Sequence, residues 1–85
     1  MEIFVGRVTH YYNHIGVAVL QLSGELKVGD RVLIIGHTTE LSQVVTSMEI
    51  EHHKVGSVGA GMEVALKVGE PVHKGDEVYR IVDGS

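Results

Sequence analysis

No cysteine occurs among the 85 residues. This excludes a disulfide framework, a thiolate-held zinc and a cysteine nucleophile. It also fits a reducing compartment. The start, Met1-Glu2-Ile3-Phe4-Val5, shows no basic stretch followed by a long apolar one, so no secretory leader is expected. No apolar run approaches the ~20 residues that a membrane helix needs. These absences together make a cytoplasmic location the expectation. Aromatic residues are few, Phe4 and three tyrosines, which leaves no platform for stacking sugars. Positive charge is short as well: 7 basic against 11 acidic residues, for a net charge of -4. The lysines and arginines are scattered, so there is no stripe that would track a phosphate backbone.

Glycine and β-branched residues are abundant. Eleven glycines punctuate runs of Val and Ile, and no segment carries a convincing helical period. One phrase occurs twice. Lys27-Val28-Gly29-Asp30-Arg31-Val32-Leu33-Ile34 returns as His73-Lys74-Gly75-Asp76-Glu77-Val78-Tyr79-Arg80-Ile81. In each copy a Gly-Asp turn launches an apolar strand; glycine suits positive φ and aspartate bonds nearby backbone N–H groups.

Strands are expected over Ile3–His10, His14–Leu22, Arg31–Ile35, Glu40–His52, the Met62–Val68 region and Glu77–Val82. The second is apolar on both faces near its middle, which implies burial on two sides. The fourth is long and should bend near Gln43. Asp83-Gly84-Ser85 reads as a frayed tail. Short strands separated by turn signals specify an all-β fold. The expected form is a single domain over residues 1–85, a small closed antiparallel β-barrel of six to seven strands. Val17, Val19, Val32, Ile34, Val44, Val64, Leu66 and Val78 are its expected core.

Chemistry is harder to find. Six histidines raise the question of a metal. His10 and His14, four apart on a strand, would stand roughly 13 Å apart, and adjacent His52 and His53 would point to opposite faces. No trio has a spacing that forces convergence at zinc distances, so no metal and no cofactor are expected. Glu49 and Glu51 share a strand face about 7 Å apart, a separation that could suit glycoside hydrolysis but equally an ordinary solvated face. Neither Ser47 nor Ser57 lies in Gly-x-Ser-x-Gly. Gly59-Ala60-Gly61 precedes a strand, so it lacks the helix N-terminus of a phosphate cradle.

Four phrases in order resemble the second domain of translational GTPases such as elongation factor Tu. They are Leu26-Lys27-Val28-Gly29-Asp30-Arg31-Val32, then Val45-Thr46-Ser47-Met48-Glu49-Ile50, Ala60-Gly61-Met62-Glu63-Val64-Ala65-Leu66, and Gly75-Asp76-Glu77-Val78. No G-x-x-x-x-G-K-[ST] motif occurs, so no GTPase activity is implied. The resemblance implies a non-catalytic binding module for an RNA 3′ end, tRNA, the ribosome or a translation protein. It places Glu49 where the family has an acid that contacts the terminal adenosine. His52 stands at the family's arginine and Glu63 at its asparagine, and these three residues form the candidate docking site. Two alternatives remain open: a protein–protein interaction barrel without an RNA role, and an enzyme with an undescribed His/Glu site.

Overall fold

The structure, a computed structural model, describes residues 1–83; the tail expectation at Gly84 and Ser85 lies outside the described residues. Among the described residues ten strands follow in order: β1 (Glu2–Tyr12), β2 (Val17–Leu22), β3 (Leu26–Lys27), β4 (Arg31–Ile35), β5 (Glu40–Val44), β6 (Met48–Ile50), β7 (His53–Val55), β8 (Ser57–Val58), β9 (Glu63–Lys67) and β10 (Glu77–Ile81). Eight form one sheet in the order β5-β4-β10-β1-β2-β9-β6-β7, and β3 and β8 form a ribbon of their own. Every pairing is antiparallel.

The continuous closure expected from the sequence is corrected. Among the described residues no ladder joins the two ends of the eight-stranded sheet. The sheet is nonetheless strongly curled, and its connectivity requires this. β5 is first and β6 seventh in the order, so a flat sheet would hold them roughly 29 Å apart, at ~4.8 Å per strand. Yet only residues 45–47 connect them, a stretch that spans at most about 14 Å. The reason for the missing ladder lies in this segment. The single strand expected over Glu40–His52 breaks at Val45-Thr46-Ser47, and its halves pair with β4 at one edge and with β9 near the other. A side chain bridges the seam instead. Gln43 donates from Nε2 to the Lys67 carbonyl at 2.8 Å and accepts at Oε1 from the Gly69 N–H at 2.8 Å.

The two Gly-Asp turns are equivalent. Gly29 has φ 97° and Gly75 φ 93°. Asp30 Oδ2 accepts from the Lys27 N–H at 2.9 Å, and Asp76 Oδ2 from the His73 N–H at 2.8 Å. Each turn delivers the chain into a strand, β4 and β10, and these two pair with each other. Positive φ at the third turn position requires glycine, so the repeated phrase encodes one backbone shape used twice.

The core is a single apolar cluster in which β1 contributes Val5 and Val8, β2 Ala18, Leu20 and Leu22, β4 Val32 and Ile34, β9 Val64 and Leu66, and β10 Val78. Leu26 and Val58 of the ribbon close it. Full burial of each large aliphatic side chain contributes roughly 1.5–3 kcal/mol. Three of the expected core residues are corrected. Val17 and Val19 are only half-buried, and Val44 is 40 % exposed. On β2 the inward set is Ala18, Leu20 and Leu22, so the valines face out. On β5 the inward residue is Leu41, Val45 just past its end is also buried, and the break at Val45-Thr46-Ser47 shifts the phase so that Met48 is the next buried residue.

Candidate functional site

The outward face of β2, β9 and β6 forms a groove, and strand register sets its three rungs. Val17 stands opposite Lys67, Val19 opposite Ala65, and Gln21 opposite Glu63. Ala65 in turn stands opposite Glu49 of β6. The larger lobe, about 570 Å³, has a floor of Val17, Val19 and Ala65, with Tyr12, Ile15, Ser47, Glu49, His52 and Lys67 around it. A second lobe of about 290 Å³ continues past Glu49 and His52 to Glu51 and Glu63. The volumes fall in or near the range of small-molecule and peptide sites.

The three residues singled out in the sequence lie on this groove. Glu49 and His52 line both lobes, and Glu63 lines the smaller one. Sequence reasoning missed the floor and the opposite end: Tyr12, Ile15, Val17, Val19, Ala65 and Lys67. One signal for the floor was present, the apolar character of both faces of β2. Its outward valines cover the floor of a groove instead of packing into a second core.

Two features fix the groove's rim. Lys67 Nζ donates to the Ile15 carbonyl at 3.2 Å, which holds the ammonium at one end. On the other side, β6 and β7 are joined by a two-residue turn, Glu51-His52, between the paired Ile50 and His53. Both turn residues are left-handed, φ 49° and 66°. Such turns favour Asn-Gly because side chains disfavour positive φ. Here a glutamate and a histidine take the strain, and both face the groove. His53 Nδ1–H donates to the Glu51 carbonyl at 2.9 Å, which braces the turn from outside.

Among the described residues the ion pair of a basic side chain with a carboxylate is Arg7–Glu77 at 3.1 Å, and His73 Nδ1 lies 3.9 Å from Asp76 Oδ2. Neither touches the groove, so its carboxylates and Lys67 face solvent without a partner of opposite charge. Away from the groove, Tyr79 donates its hydroxyl to Glu77 at 2.8 Å. That hydrogen bond, followed by desolvation and the Glu77 charge, pushes the phenol above its ordinary range. Among the described residues no three His, Asp or Glu side chains gather as a metal site would require. No helix among them is long and apolar enough to cross a membrane.

A small all-β domain with this curled sheet is known from solved structures. Two crystal structures of the C-terminal domain of a Geobacillus thermoleovorans protein assigned to the U32 peptidases superpose on the chain. One does so with TM-score 0.88 over 94% of this chain and 93% of that one, at 22% identity. The other has TM-score 0.83 over 88% and 95%, at 23% identity. At sequence level the chain is 42% identical over 79 residues to an uncharacterized protease of Methanocaldococcus jannaschii. It is 35% identical over 81 residues to a collagenase of Porphyromonas gingivalis. These matches cover 92% and 93% of this chain, but only 19% and 20% of the relatives, so the chain spans about a fifth of their length. No family model matches.

These findings correct the translation-factor reading. The relatives are proteases and collagenases, and the superposing structures are domains of a U32 peptidase. An RNA 3′ end, tRNA, the ribosome and translation proteins are therefore withdrawn as partners. The physical reason is that a phrase such as Val28-Gly29-Asp30-Arg31-Val32 encodes a turn feeding a sheet strand, and that turn serves any protein with such a strand. The expectation of a non-catalytic module that is not an enzyme is overturned by the same relatives, which are a protease and collagenases. The bare interaction barrel and the undescribed His/Glu enzyme give way with it.

Proposed function

We propose that this chain is the β-domain of a U32-type peptidase, and that its groove receives an extended stretch of polypeptide on which the peptidase acts. Residues 1–85 serve as one unit in this role, in a cytoplasmic setting consistent with the absence of cysteine. Glu49, His52 and Glu63 contact the bound segment along the rim. The observation that carries the reading is the groove itself: an apolar floor of Val17, Val19 and Ala65 aligned with the strands, flanked by hydrogen-bonding side chains. A polypeptide in extended form presents alternate side chains to such a floor. The strained Glu51-His52 turn on the rim supports it, since backbone strain of this kind concentrates where a side chain must be held in place.

Chemical-shift mapping tests this with an end-capped peptide, Ser-Ser-Leu-Ser-Ser. The expected perturbations cluster at Val17, Val19, Ala65 and Lys67, and Ala65→Trp, which fills the floor from its outward face, abolishes them. Perturbations elsewhere, or none at millimolar peptide, refute the proposal.

A further inference from the structure

The groove is electrically two-ended, and its ends are set at a fixed pitch. The outward residues of β9 are Glu63, Ala65 and Lys67. Alternate residues of a strand stand about 6.8 Å apart, so the Glu63 and Lys67 rungs are separated by roughly 13–14 Å. Glu51 joins Glu63 at one end, while Glu49 stands on the middle rung. Lys54, opposite Glu49 on β7, offsets that middle-rung carboxylate without forming an ion pair, while Glu51 and Glu63 leave the far end negative. The other end holds Lys67, with its ammonium anchored on the Ile15 carbonyl at 3.2 Å and beside it the apolar Ile15 and Val17. Between the ends, Val19 and Ala65 leave an uncharged floor beside Tyr12.

An extended ligand laid along β9 has the same two-residue pitch as the strand. Its residues i, i+2 and i+4 therefore stand over the three rungs. Complementarity then dictates what those residues are: an acidic side chain over Lys67, an apolar one over Ala65 and a basic one over Glu63. Resting on the function proposed above, we infer that the groove selects polypeptide segments that carry opposite charges four residues apart around a central apolar residue. Both ends are exposed, so each pair adds only a modest preference in water. Its main effects are to set the register of the bound segment and to reject segments with like charges at both ends.

The test uses end-capped pentapeptides, so that only side chains carry charge: Glu-Ser-Leu-Ser-Lys, its reverse Lys-Ser-Leu-Ser-Glu, the neutral Ser-Ser-Leu-Ser-Ser, and the like-charged Glu-Ser-Leu-Ser-Glu and Lys-Ser-Leu-Ser-Lys. Affinities are read by NMR titration at low salt. At least one of the two mixed-charge peptides binds roughly threefold to tenfold tighter than the neutral one, and the advantage shrinks as salt is raised. In Lys67→Glu the best ligand becomes Lys-Ser-Leu-Ser-Lys. In Glu63→Lys the preference moves toward Glu-Ser-Leu-Ser-Glu. Both changes lie on the outward face, so the spectrum of each variant reports retained fold. If the neutral peptide binds in the groove but all five bind alike, the charge inference is overturned and the polypeptide groove stands. If none binds, both fall.

Discussion

Replacing Glu51-His52 by Asn-Gly should make the protein more stable. Both residues hold positive φ, 49° and 66°, in the two-residue connection between β6 and β7. The left-handed conformation costs an ordinary L-residue roughly 1–2 kcal/mol. Glycine at position 52 removes that cost and returns ~0.5–1 kcal/mol through its freer unfolded chain. Asparagine at position 51 tolerates the left-handed region better than glutamate. The gain is then about 0.5–1 kcal/mol at each position, or ~1–2 kcal/mol together. Neither substitution removes the Glu51 backbone carbonyl that accepts from His53 Nδ1, so the brace on the turn survives. A domain of this size gains about 4–8 °C in Tm for each kcal/mol, and thermal unfolding followed by circular dichroism reads the change directly. The same variant loses the His52 side chain from the groove and should bind peptide more weakly. An unchanged or lower Tm in a variant with a native-like spectrum would show that the turn holds no strain, and the argument from strain to function would fall with it.

Gly29→Ala and Gly75→Ala should each destabilise by roughly 1–2 kcal/mol in urea unfolding, whereas Gly59→Ala should not. A Cβ at any of the three meets nothing within 4 Å, and only the first two have positive φ, so equal effects would refute the turn argument. Gln43→Ala removes both seam hydrogen bonds and should cost about 1–2 kcal/mol. Gln43→Glu keeps an acceptor for Gly69 and should fall between it and the parent; no loss in either variant would mean that the seam is held by packing alone. Tyr79 has its phenol raised above 10.0, first by the Glu77 hydrogen bond. Its contribution is therefore complete below the unfolded-state pKa and lost as pH rises through the folded one, so melting temperatures should decline above pH 10 and Tyr79→Phe should flatten that decline.

Local backbone chemistry was legible in the sequence. Strand Arg31–Ile35 and both Gly-Asp turns could be read directly, because glycine at positive φ with a following aspartate has few alternatives. Glu49, His52 and Glu63 were grouped by the translation-factor resemblance alone; strict alternation would set Glu49 and His52 on opposite faces, and the left-handed Glu51-His52 turn is what returns His52 to the groove. The phase of β2 could not be read. Val17-Ala18-Val19-Leu20 is apolar at every position, and only the surrounding strands decide which half turns inward. The strand's length announced a bend near Gln43, but the full break at Val45-Thr46-Ser47 was hidden, since it carries no glycine or proline and was imposed by the need to reach both ends of the sheet order. The Glu51-His52 turn lacked the Asn-Gly signal that would have announced it. The kinship was misread because the phrases that suggested it belong to sheet geometry.

The order of strands in the sheet also bears on how the protein is made. β10 lies between β4 and β1, although it leaves the ribosome after every other strand. Until it emerges, β1 and β4 each present an unpaired edge, and Leu33, Ile34 and Ile35 lie along one of them. Local hairpins β1–β2, β4–β5 and β6–β7 can form early, but until β10 arrives no ladder joins the first two side by side. Unpaired apolar edges recruit other strands, including those of neighbouring nascent chains. A chain stopped at Gly75 would therefore be more than a shortened domain: it would be two adhesive fragments of a sheet, and a natural client for chaperones until the final strand is inserted.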